Sequence, residues 1–392
     1  MKTKLSIKKF IKNRLTKSQM VLFLIALFNF NPVFSQKQPG YHVLIGTYTN
    51  GKSKGIQVYS FDSKTGKMAF EKEVPVSNPS YLCLSPDNKK VYAVSEDNGK
   101  DGTVSAFTFD ATTGELKLLN TKSSGGIAPC YVATDKSGKY VFVANYMSGT
   151  IAAYRILADG SLSGSAQILT NSGSSSNKAR QEHAHSHSTV ISPDNKYLFT
   201  ADLGTDKEMS YKLDTSNHLT PLSKATIPFY KAVAGSGPRH LVFSNSGKFA
   251  YLIQELTATI ITFSYANGKL SPIQTNYLIA PGVSGEAGAA DIHLSYDGKF
   301  LYGTNRGTYN DIAAFSVNQT TGMLAYVSRI SSFGKTPRNF AISPEGNFLL
   351  VANQNSDDAY VLPRNKKTGK LSPFIQKLDI GAPVCIKLVK IP

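Results

Sequence analysis

The sequence predicts an all-β fold: one seven-bladed β-propeller with four antiparallel strands in each blade and a ring closed by a blade that the two termini share. Three observations predict it. A turn-and-strand pattern recurs about every 50 residues along most of the 392-residue chain. Apolar and polar residues alternate in the strands, and no stretch after the first 35 residues keeps a helical period over several turns. The two ends of the chain complement each other as parts of one further repeat.

The repeat is anchored by a polar turn that leads into an alternating strand. Its six copies begin 50, 57, 52, 51 and 48 residues apart. The copies are SPDNKKVYAVSED from Ser85, DKSGKYVFVANYM from Asp135, SPDNKYLFTADLG from Ser192, SNSGKFAYLIQEL from Ser244, SYDGKFLYGTNRG from Ser295 and SPEGNFLLVANQN from Ser343. Asp, Asn and Gly are the residues that tight turns favour. Each copy therefore marks the second strand of one blade.

Flanking segments complete each unit to four strands. An apolar strand such as CYVAT or HLVF precedes the anchor, and a strand such as GTIAAYRIL or DIAAFSVNQ follows it. A second turn, such as ADGSL or QTTGML, then leads into a more variable last strand. Four strands in a repeat of this length are typical of a propeller blade and exclude a helical solenoid. Because the chain contains no Trp, the Trp-Asp class of propellers is also excluded.

The two termini supply the seventh unit. APVCIKLVKIP at the C-terminus is typical of a first strand, and YHVLIGTYT, GIQVYSFD and KMAFEKEVPV near the N-terminus are typical of the second, third and fourth. A shared blade closes the ring and removes an open sheet edge. We therefore expect a single domain over residues 36–392.

The first 35 residues have the three-part layout of a secretory signal peptide. A basic segment without acidic residues precedes the apolar run MVLFLIALFNF, and Val33 and Ser35 provide small residues before a cut near Ser35 and Gln36. The apolar run is shorter than the ~20 residues of a membrane-spanning helix. We expect cleavage and export to the periplasm or the medium, with an uncleaved N-terminal anchor as the alternative.

Charge and cysteine content narrow the class of partner. Removal of the signal peptide lowers the net charge from +17 to about +10, and the remaining charges are scattered. Nucleic acid would require a clustered basic stripe, whereas a mildly basic surface suits an anionic small molecule. Cys83, Cys130 and Cys385 are too few for a disulfide framework and occupy equivalent strands of the repeat. We expect a monomer that binds no nucleic acid and has no stable membrane insertion after cleavage.

Blade geometry predicts where a site lies. In an antiparallel blade, residues just before the first strand and just after the second converge on one mouth of the central channel. Five residues before the anchors stand Ser80, Cys130, His187, Arg239, Ala290, Arg338 and, at the C-terminus, Val384. Eleven residues after them stand Glu96, Tyr146, Leu203, Glu255, Arg306 and Gln354. Most of the ionisable members fall in consecutive blades, as a site for an anionic substrate requires.

Each of these residues also has a structural interpretation. Arg239, Arg306 and Arg338 can hold blade loops by bonding carbonyl groups, and Glu255 can serve as a structural partner of an arginine. Glycine- and serine-rich loops before two first strands, residues 171–182 and 281–290, are either a mobile rim at the mouth or plain surface loops.

Further candidates lie in ADLGTD and in the first strands. Asp202 and Asp206 are more typical of carboxylates that fix a turn through backbone amides. His240 lies within a strand, where histidines are more often satisfied near the core. Two histidines of HAHSH are candidates to face the mouth. His187 falls in the same repeat column as Arg239, and His185 points with it if the extended run begins early.

Several of these motifs occur together in one known family. HAHSHSTVISPDNKYLFTADLGTD, GSGPRHLVF, a glutamate 16 residues after that arginine, NRG and TPRNFAISPEG make the combination specific. The chain resembles, over nearly all of residues 41–392, the bacterial lactonase family, which includes propeller-type 6-phosphogluconolactonases and fungal carboxymuconate lactonizing enzymes. The resemblance implies a catalytic set of one histidine, one glutamate and two arginines. The matching positions are His185 or His187, Glu255, Arg239 and Arg306. We add, as substrate-binding candidates, Arg338, Asn339, Asp202 and His240.

The chemistry expected from these residues is hydrolysis of an anionic sugar lactone. A glutamate or a neutral histidine can take a proton from water, and arginine can hold an anionic group and stabilise an oxyanion. The alternatives are ring closure by a lactonizing cycloisomerase of carboxymuconate type and a propeller that binds without catalysis. The alternating histidines with Asp202 or Asp206 form only a weak zinc pattern. We therefore expect metal-independent chemistry, no cofactor and no nucleophilic serine of the GxSxG type.

Overall fold

The computed structural model describes residues 40–97, 101–279 and 282–392. The predicted signal peptide lies outside the described residues. Within them, no helix has the length and hydropathy to cross a membrane.

The first three four-stranded sheets take up residues 40–170 and the C-terminal strand. The first sheet contains β1 (Gly40–Thr47), β2 (Gly55–Asp62), β3 (Met68–Pro75) and the last strand of the chain, β28 (Pro383–Lys390). The second contains β4 (Leu82–Leu84), β5 (Lys90–Ser95), β6 (Asp101–Asp110) and β7 (Glu115–Ile127). The third contains β8 (Pro129–Thr134), β9 (Tyr140–Asn145), β10 (Thr150–Ile156) and β11 (Leu162–Thr170).

The other four sheets follow in chain order. They are β12 (Ser186–Ile191), β13 (Tyr197–Asp202), β14 (Lys207–Leu213) and β15 (Leu222–Lys231); β16 (Pro238–Phe243), β17 (Phe249–Gln254), β18 (Thr259–Ala266) and β19 (Lys269–Tyr277); β20 (Ala289–Leu294), β21 (Phe300–Asn305), β22 (Asp311–Val317) and β23 (Leu324–Ser331); β24 (Pro337–Ile342), β25 (Phe348–Asn353), β26 (Asp358–Pro363) and β27 (Gln376–Asp379). A short 3-10 turn, Gln354–Ser356, follows β25.

The sheets form the predicted seven-bladed propeller. Each has four antiparallel strands in simple chain order, and in the first sheet the order is β28-β1-β2-β3. The innermost strands contact one another in the cyclic order β4, β8, β12, β16, β20, β24, β28 and back to β4. The pairing of β1 with β28 confirms the predicted blade shared by the termini, which closes the ring without an open edge.

Backbone conformation explains the repeated turn. Its fourth residue has a positive φ in all six copies, from 58° to 75°. Side chains other than Asn or Asp are strained in this left-handed region, and glycine is not. The six residues are Asn88, Gly138, Asn195, Gly247, Gly298 and Gly346. The alternation of Asn and Gly at this position is therefore a conformational requirement of the turn.

The core lies between neighbouring blades. One apolar cluster joins the sheet of β8–β11 to that of β12–β15, with Phe142 and Leu198 among its fully buried members. The inner strands carry the three cysteines: Cys83 on β4 is half-buried, and Cys130 on β8 and Cys385 on β28 are buried free thiols. Their equivalent placement on first strands was predicted from the repeat.

One buried carboxyl group makes the stability of this fold depend on pH. Glu208 on β14 has no exposed surface, and neither of its carboxyl oxygens has a hydrogen-bond partner among the described residues. Burial, with a smaller effect of Asp202, raises its pKa well above the usual range. Because the folded pKa exceeds the unfolded pKa of about 4.3, stability is highest below that unfolded value and is lost as pH rises towards the folded pKa.

Replacement of Glu208 by glutamine is therefore expected to stabilise the protein at alkaline pH. The variant cannot ionise, so its midpoint of thermal unfolding should exceed the wild-type midpoint by a few degrees near pH ~8. The difference should shrink towards pH ~4, where the wild-type carboxyl is protonated in both states. Scanning calorimetry across this range checks the prediction, with Glu115→Gln on the exposed edge of β7 as a control. A difference that does not vary with pH would contradict it.

Candidate active site

Two first strands and two second strands bring a charged cluster to one mouth of the channel. Arg239 is the second residue of β16 and Arg338 the second residue of β24, so both enter the mouth where a first strand begins. Glu255 directly follows β17, and Arg306 directly follows β21, where second strands end. The antiparallel pairing of each first and second strand puts these positions side by side.

Glu255 is the centre of the cluster. Its Oε2 atom lies 2.9 Å from Nε of Arg239 and 2.9 Å from a terminal nitrogen of Arg306. Its Oε1 atom accepts a hydrogen bond of 2.6 Å from Nη2 of Arg180. The side chains of Glu255 and Arg239 are only 6% and 2% exposed, so the central pair is desolvated. One buried carboxylate thus orients three guanidinium groups at once.

The charges of this cluster determine the protonation of its members. Burial by itself would raise the pKa of Glu255, but Arg306, Arg239 and Arg180 together hold that pKa well below the usual range. The carboxylate is therefore ionised throughout the physiological range. Burial lowers the pKa of Arg306 to about 10, so this guanidinium also stays charged at neutral pH.

Arg338 extends the cluster across the mouth. A terminal nitrogen of Arg338 lies 3.8 Å from Oε2 of Glu96, and its guanidinium lies 5.7 Å from the ring centroid of Tyr48. The Tyr48 hydroxyl donates to the same carboxylate oxygen of Glu96 at 2.8 Å. Four guanidinium groups therefore face two carboxylates at this mouth, which leaves an excess of positive charge for an anionic ligand.

The structure separates the two candidate histidines. His187 lies in the channel, 96% buried, with its ring edge against His240 at 5.4 Å and its Nδ1 atom 3.9 Å from Sγ of Cys130. Among the described residues, none is hydrogen-bonded to its Nε2 atom. Burial, followed by the positive charge of Arg239, lowers the pKa of His187 well below its ordinary value. His187 is thus a neutral imidazole beside the arginine cluster.

His185 is held outside this cluster. Its Nδ1 atom lies 3.0 Å from the carbonyl oxygen of Tyr146, and its Nε2 atom lies 3.2 Å from Oε1 of Glu182. Its ring stacks on that of Tyr146 at 4.4 Å. Both ring nitrogens therefore have partners, and none of the partners belongs to the Glu255 cluster.

Two other sequence candidates hold the framework. Asp202 uses Oδ1 to accept from the backbone N–H groups of His185, Gly204 and Thr205, so it fixes a turn. Asn339 donates to Asp291 at 2.5 Å and accepts from the backbone N–H of Ile386, so both ends of its amide are bonded inside the channel wall. Neither side chain bonds to the Glu255 cluster, and their expected role in substrate binding stays a prediction.

His240 lies directly beneath Arg239. Its Nδ1 atom lies 2.8 Å from Oδ1 of Asp291, and its Nε2 atom lies 3.3 Å from Nη1 of Arg239. Because a guanidinium can only donate, Nε2 accepts and Nδ1 carries the proton. Burial lowers the pKa of His240 to about 4. His240 is therefore a neutral ring that accepts a hydrogen bond from Arg239 and helps to position it.

Both glycine- and serine-rich loops reach the mouth. The loop over residues 171–182 carries Arg180, a member of the cluster that the repeat columns did not include. The described part of the second loop supplies backbone carbonyls: Gly288 and Ala289 accept from Arg306 at 2.9 and 3.2 Å. Arg306 thus holds a loop and pairs with Glu255, so both interpretations of this residue apply. A basic residue in a loop just before a first strand was the available sequence signal for Arg180.

Comparison with known proteins identifies the family to which this fold belongs. The family model described as "Lactonase, 7-bladed beta-propeller" matches residues 42–388. A protein of Formosa agariphila named 6-phosphogluconolactonase is 38% identical over 344 residues, which are 86% of this chain and 97% of that protein. One of Bacillus subtilis with the same name is 33% identical over 350 residues, 88% of this chain and 97% of that protein.

A solved structure extends the likeness to three dimensions. The periplasmic gluconolactonase of Pseudomonas aeruginosa superposes with a TM-score of 0.87 at 39% identity, over 90% of this chain and all of that one. The matched family model spans the strands that carry Glu255 and its arginines. The chain therefore belongs to the lactonase family of seven-bladed β-propellers.

Proposed function

We propose that this protein hydrolyses an anionic sugar lactone, in the manner that the name 6-phosphogluconolactonase implies for its relatives. The observation that carries the proposal is the convergence of Arg180, Arg239, Arg306 and Arg338 on one mouth, around a buried carboxylate and beside a neutral histidine. Such a mouth can bind an anion and stabilise negative charge as it develops on a carbonyl oxygen.

His187 is the base in this proposal. Water bound at Nε2 attacks the lactone carbonyl carbon while the ring takes one proton. The tetrahedral intermediate then collapses, the bond from the carbonyl carbon to the ring oxygen breaks, and that oxygen receives the proton. The product is the open hydroxy acid. No metal ion takes part in these steps.

Electrostatics favours His187 over Glu255 as the base. A carboxylate whose pKa is held far below its usual range by three arginines accepts protons poorly. Its role is to position Arg239 and Arg306 towards the oxyanion. The low pKa of His187 arises from burial and from Arg239. An anionic substrate beside it offsets that positive charge and raises the pKa towards neutrality, which makes the ring a better base in the complex than in the free enzyme.

An anionic substituent on the substrate should strongly improve turnover. Charge-assisted hydrogen bonds contribute about 1.5–3 kcal/mol each, so we expect kcat/KM for 6-phosphogluconolactone to exceed that for gluconolactone roughly 10- to 100-fold. Acid release in a pH-stat, corrected for spontaneous hydrolysis, measures both rates. Arg180→Gln removes the most exposed guanidinium of the cluster. It should therefore reduce the ratio of kcat/KM between 6-phosphogluconolactone and gluconolactone. Arg155→Gln on β10 is the matched control.

The outcomes separate the candidate functions. Equal rates on both lactones would contradict the role of the arginines in substrate charge recognition. Inactivity on lactones, together with formation of a lactone from a carboxymuconate, would favour the lactonizing cycloisomerase. Tight binding of sugar acids without turnover would favour a non-catalytic propeller.

Export belongs to the same proposal. The N-terminal segment has the layout of a signal peptide, and one similar solved structure is described as periplasmic. We propose that the lactone is met outside the cytoplasm. Fractionation of cells that express the full chain, followed by N-terminal sequencing of the exported product, tests export and the cut near Ser35.

A further inference from the structure

Three side chains beside the candidate active site have the spacing of metal ligands. Glu182, His183 and His185 each offer one ligand atom, and these atoms all lie within 4.8 Å of one another. Oε1 of Glu182 lies 3.2 Å from Nδ1 of His183 and 3.2 Å from Nε2 of His185. The carboxylate and the two ring nitrogens therefore converge on one point at the end of the loop over residues 171–182, the rim loop.

The hydrogen bonds of His185 fix which of its nitrogens carries the proton. Nδ1 of His185 faces the carbonyl oxygen of Tyr146 at 3.0 Å. A carbonyl can only accept, so Nδ1 must donate. In the neutral ring, Nε2 then has a lone pair, and this lone pair points at the carboxylate of Glu182.

His183 repeats the same arrangement with its nitrogens exchanged. Nε2 of His183 faces the carbonyl oxygen of Met147 at 2.9 Å and must donate to it. Nδ1 of His183 then presents its lone pair to the same oxygen of Glu182. Each ring thus donates one N–H to a backbone carbonyl and turns its other nitrogen towards Glu182. Metal-bound histidines commonly donate their other N–H to a backbone carbonyl in this way.

The distances suit a tetrahedral dication. Ligand atoms about 2.0–2.1 Å from Zn²⁺ lie roughly 3.3 Å apart at the tetrahedral angle. Both distances from Glu182 are 3.2 Å. The side chains of Glu182 and His183 are 46% and 44% exposed, whereas that of His185 is 3% exposed. One side of the group is therefore open to water for a fourth ligand.

The backbone of this segment is held firmly by the blades. A Cβ atom on Gly204 would lie 1.8 Å from the carbonyl oxygen of His183, and one on Gly149 would lie 2.6 Å from that of Ala184. Asp202 accepts from the N–H of His185 at 2.8 Å. Two glycines and a buried carboxylate thus position the ligand backbone before any ion arrives, which reduces the cost of ordering the site.

We propose that Glu182, His183 and His185 bind a divalent transition-metal ion of the zinc class, with water as the fourth ligand. Histidine nitrogens with a single carboxylate favour Zn²⁺ over Ca²⁺ or Mg²⁺, which prefer oxygen ligands. The ion ties the rim loop to the blade that carries Tyr146. Arg180 lies two residues before the first ligand and donates to the Tyr146 hydroxyl at 3.2 Å, so the same ion steadies Arg180.

Metal binding to the purified protein without substrate tests the proposal. The full chain, free of a polyhistidine tag, should bind about one equivalent of Zn²⁺ in equilibrium dialysis. It should give the visible absorption of four-coordinate Co²⁺ when CoCl2 is added. Zn²⁺ should also raise the midpoint of thermal unfolding by several degrees. Glu182→Gln and His183→Gln, both at accessible positions, should weaken binding more than about tenfold. His218→Gln, an exposed histidine in the β14–β15 connection, is the control and should leave binding unchanged.

Failure to bind Zn²⁺ or Co²⁺ would overturn the proposal, as would equal binding by wild type and both ligand variants. A well-folded His183→Gln variant keeps the test valid if Glu182→Gln is unstable. Because no lactone is present in any of these measurements, their result is independent of the proposed hydrolysis.

Discussion

Replacing Glu255 by glutamine is expected to reduce both catalysis and stability. The carboxylate pairs with three guanidinium groups, two of them through the same oxygen. A glutamine keeps the shape but loses the negative charge, so Arg239 and Arg306 repel each other and leave their positions. We expect kcat/KM for an anionic lactone to fall about 10²–10³-fold, as for loss of an oxyanion-stabilising donor.

The same substitution leaves a buried positive charge without its partner. Arg239 is buried, and it also donates to the carbonyl oxygen of Ala290 and to the neutral ring of His240. Removal of one member of a buried ion pair costs about 3–5 kcal/mol in free energy of unfolding. Calorimetry and denaturant unfolding of wild type and variant measure this loss.

Added anions distinguish this electrostatic effect from general damage. Sulfate should stabilise Glu255→Gln more than wild type, because the freed guanidinium groups bind it in place of the carboxylate. Arg329→Gln serves as a control, since it breaks the 2.9 Å pair with Asp311 on β22 and β23, in the blade that carries Arg306. The Arg329→Gln control should keep the wild-type kcat/KM. Full activity of Glu255→Gln would contradict the role of Glu255 in positioning the arginines. Equal stabilisation of wild type and Glu255→Gln by sulfate would contradict it as well.

The repeat made most of the fold predictable. Turn residues that tolerate a positive φ recur at a fixed place, and the strands around them alternate with a period of two, so both signals are local. The closing pair of β1 with β28 followed from counting strands at the two ends. The convergence of Arg239, Glu255, Arg306 and Arg338 was predictable to the same extent, because they stand at strand ends whose meeting point is a property of the blade.

What the repeat could not give is the direction and pairing of single side chains. Arg180 reaches Glu255 from an irregular loop whose path depends on tertiary contacts such as that of Gln181 with Leu203. Asn339 and Asp202 stand next to site positions, but buried backbone groups require their hydrogen bonds. His185 and His187 are two residues apart in an extended segment, so the sequence pattern gives them the same direction. Their tertiary contacts distinguish them: His185 bonds to Tyr146 and Glu182, whereas His187 lies against His240 and Cys130.

Replacing His187 by glutamine is expected to lower kcat more than KM. The amide fits the space of the ring but cannot accept and return a proton, and loss of a general base costs typically 10²–10⁴-fold in rate. Binding of the anionic group by the arginines is unchanged, so KM should stay within a few-fold of wild type. His218→Gln is again the control, since it removes an exposed histidine with no part in the mouth. Near-normal kcat in His187→Gln would exclude this residue as the base.

The pH dependence provides a second, sharper test of His187. The ring must be neutral to act as a base, and burial with Arg239 places its free-enzyme pKa well below the ordinary value. The pH profile of kcat/KM reports the pKa values of the free enzyme, so kcat/KM should fall only at acidic pH. The acid limb of kcat should lie at higher pH, because bound substrate raises the pKa of the ring. A phosphate on the substrate titrates near pH ~6, so only a limb that disappears in His187→Gln belongs to the histidine. Coincident limbs in kcat and kcat/KM that survive the substitution would show that the base lies elsewhere in the mouth.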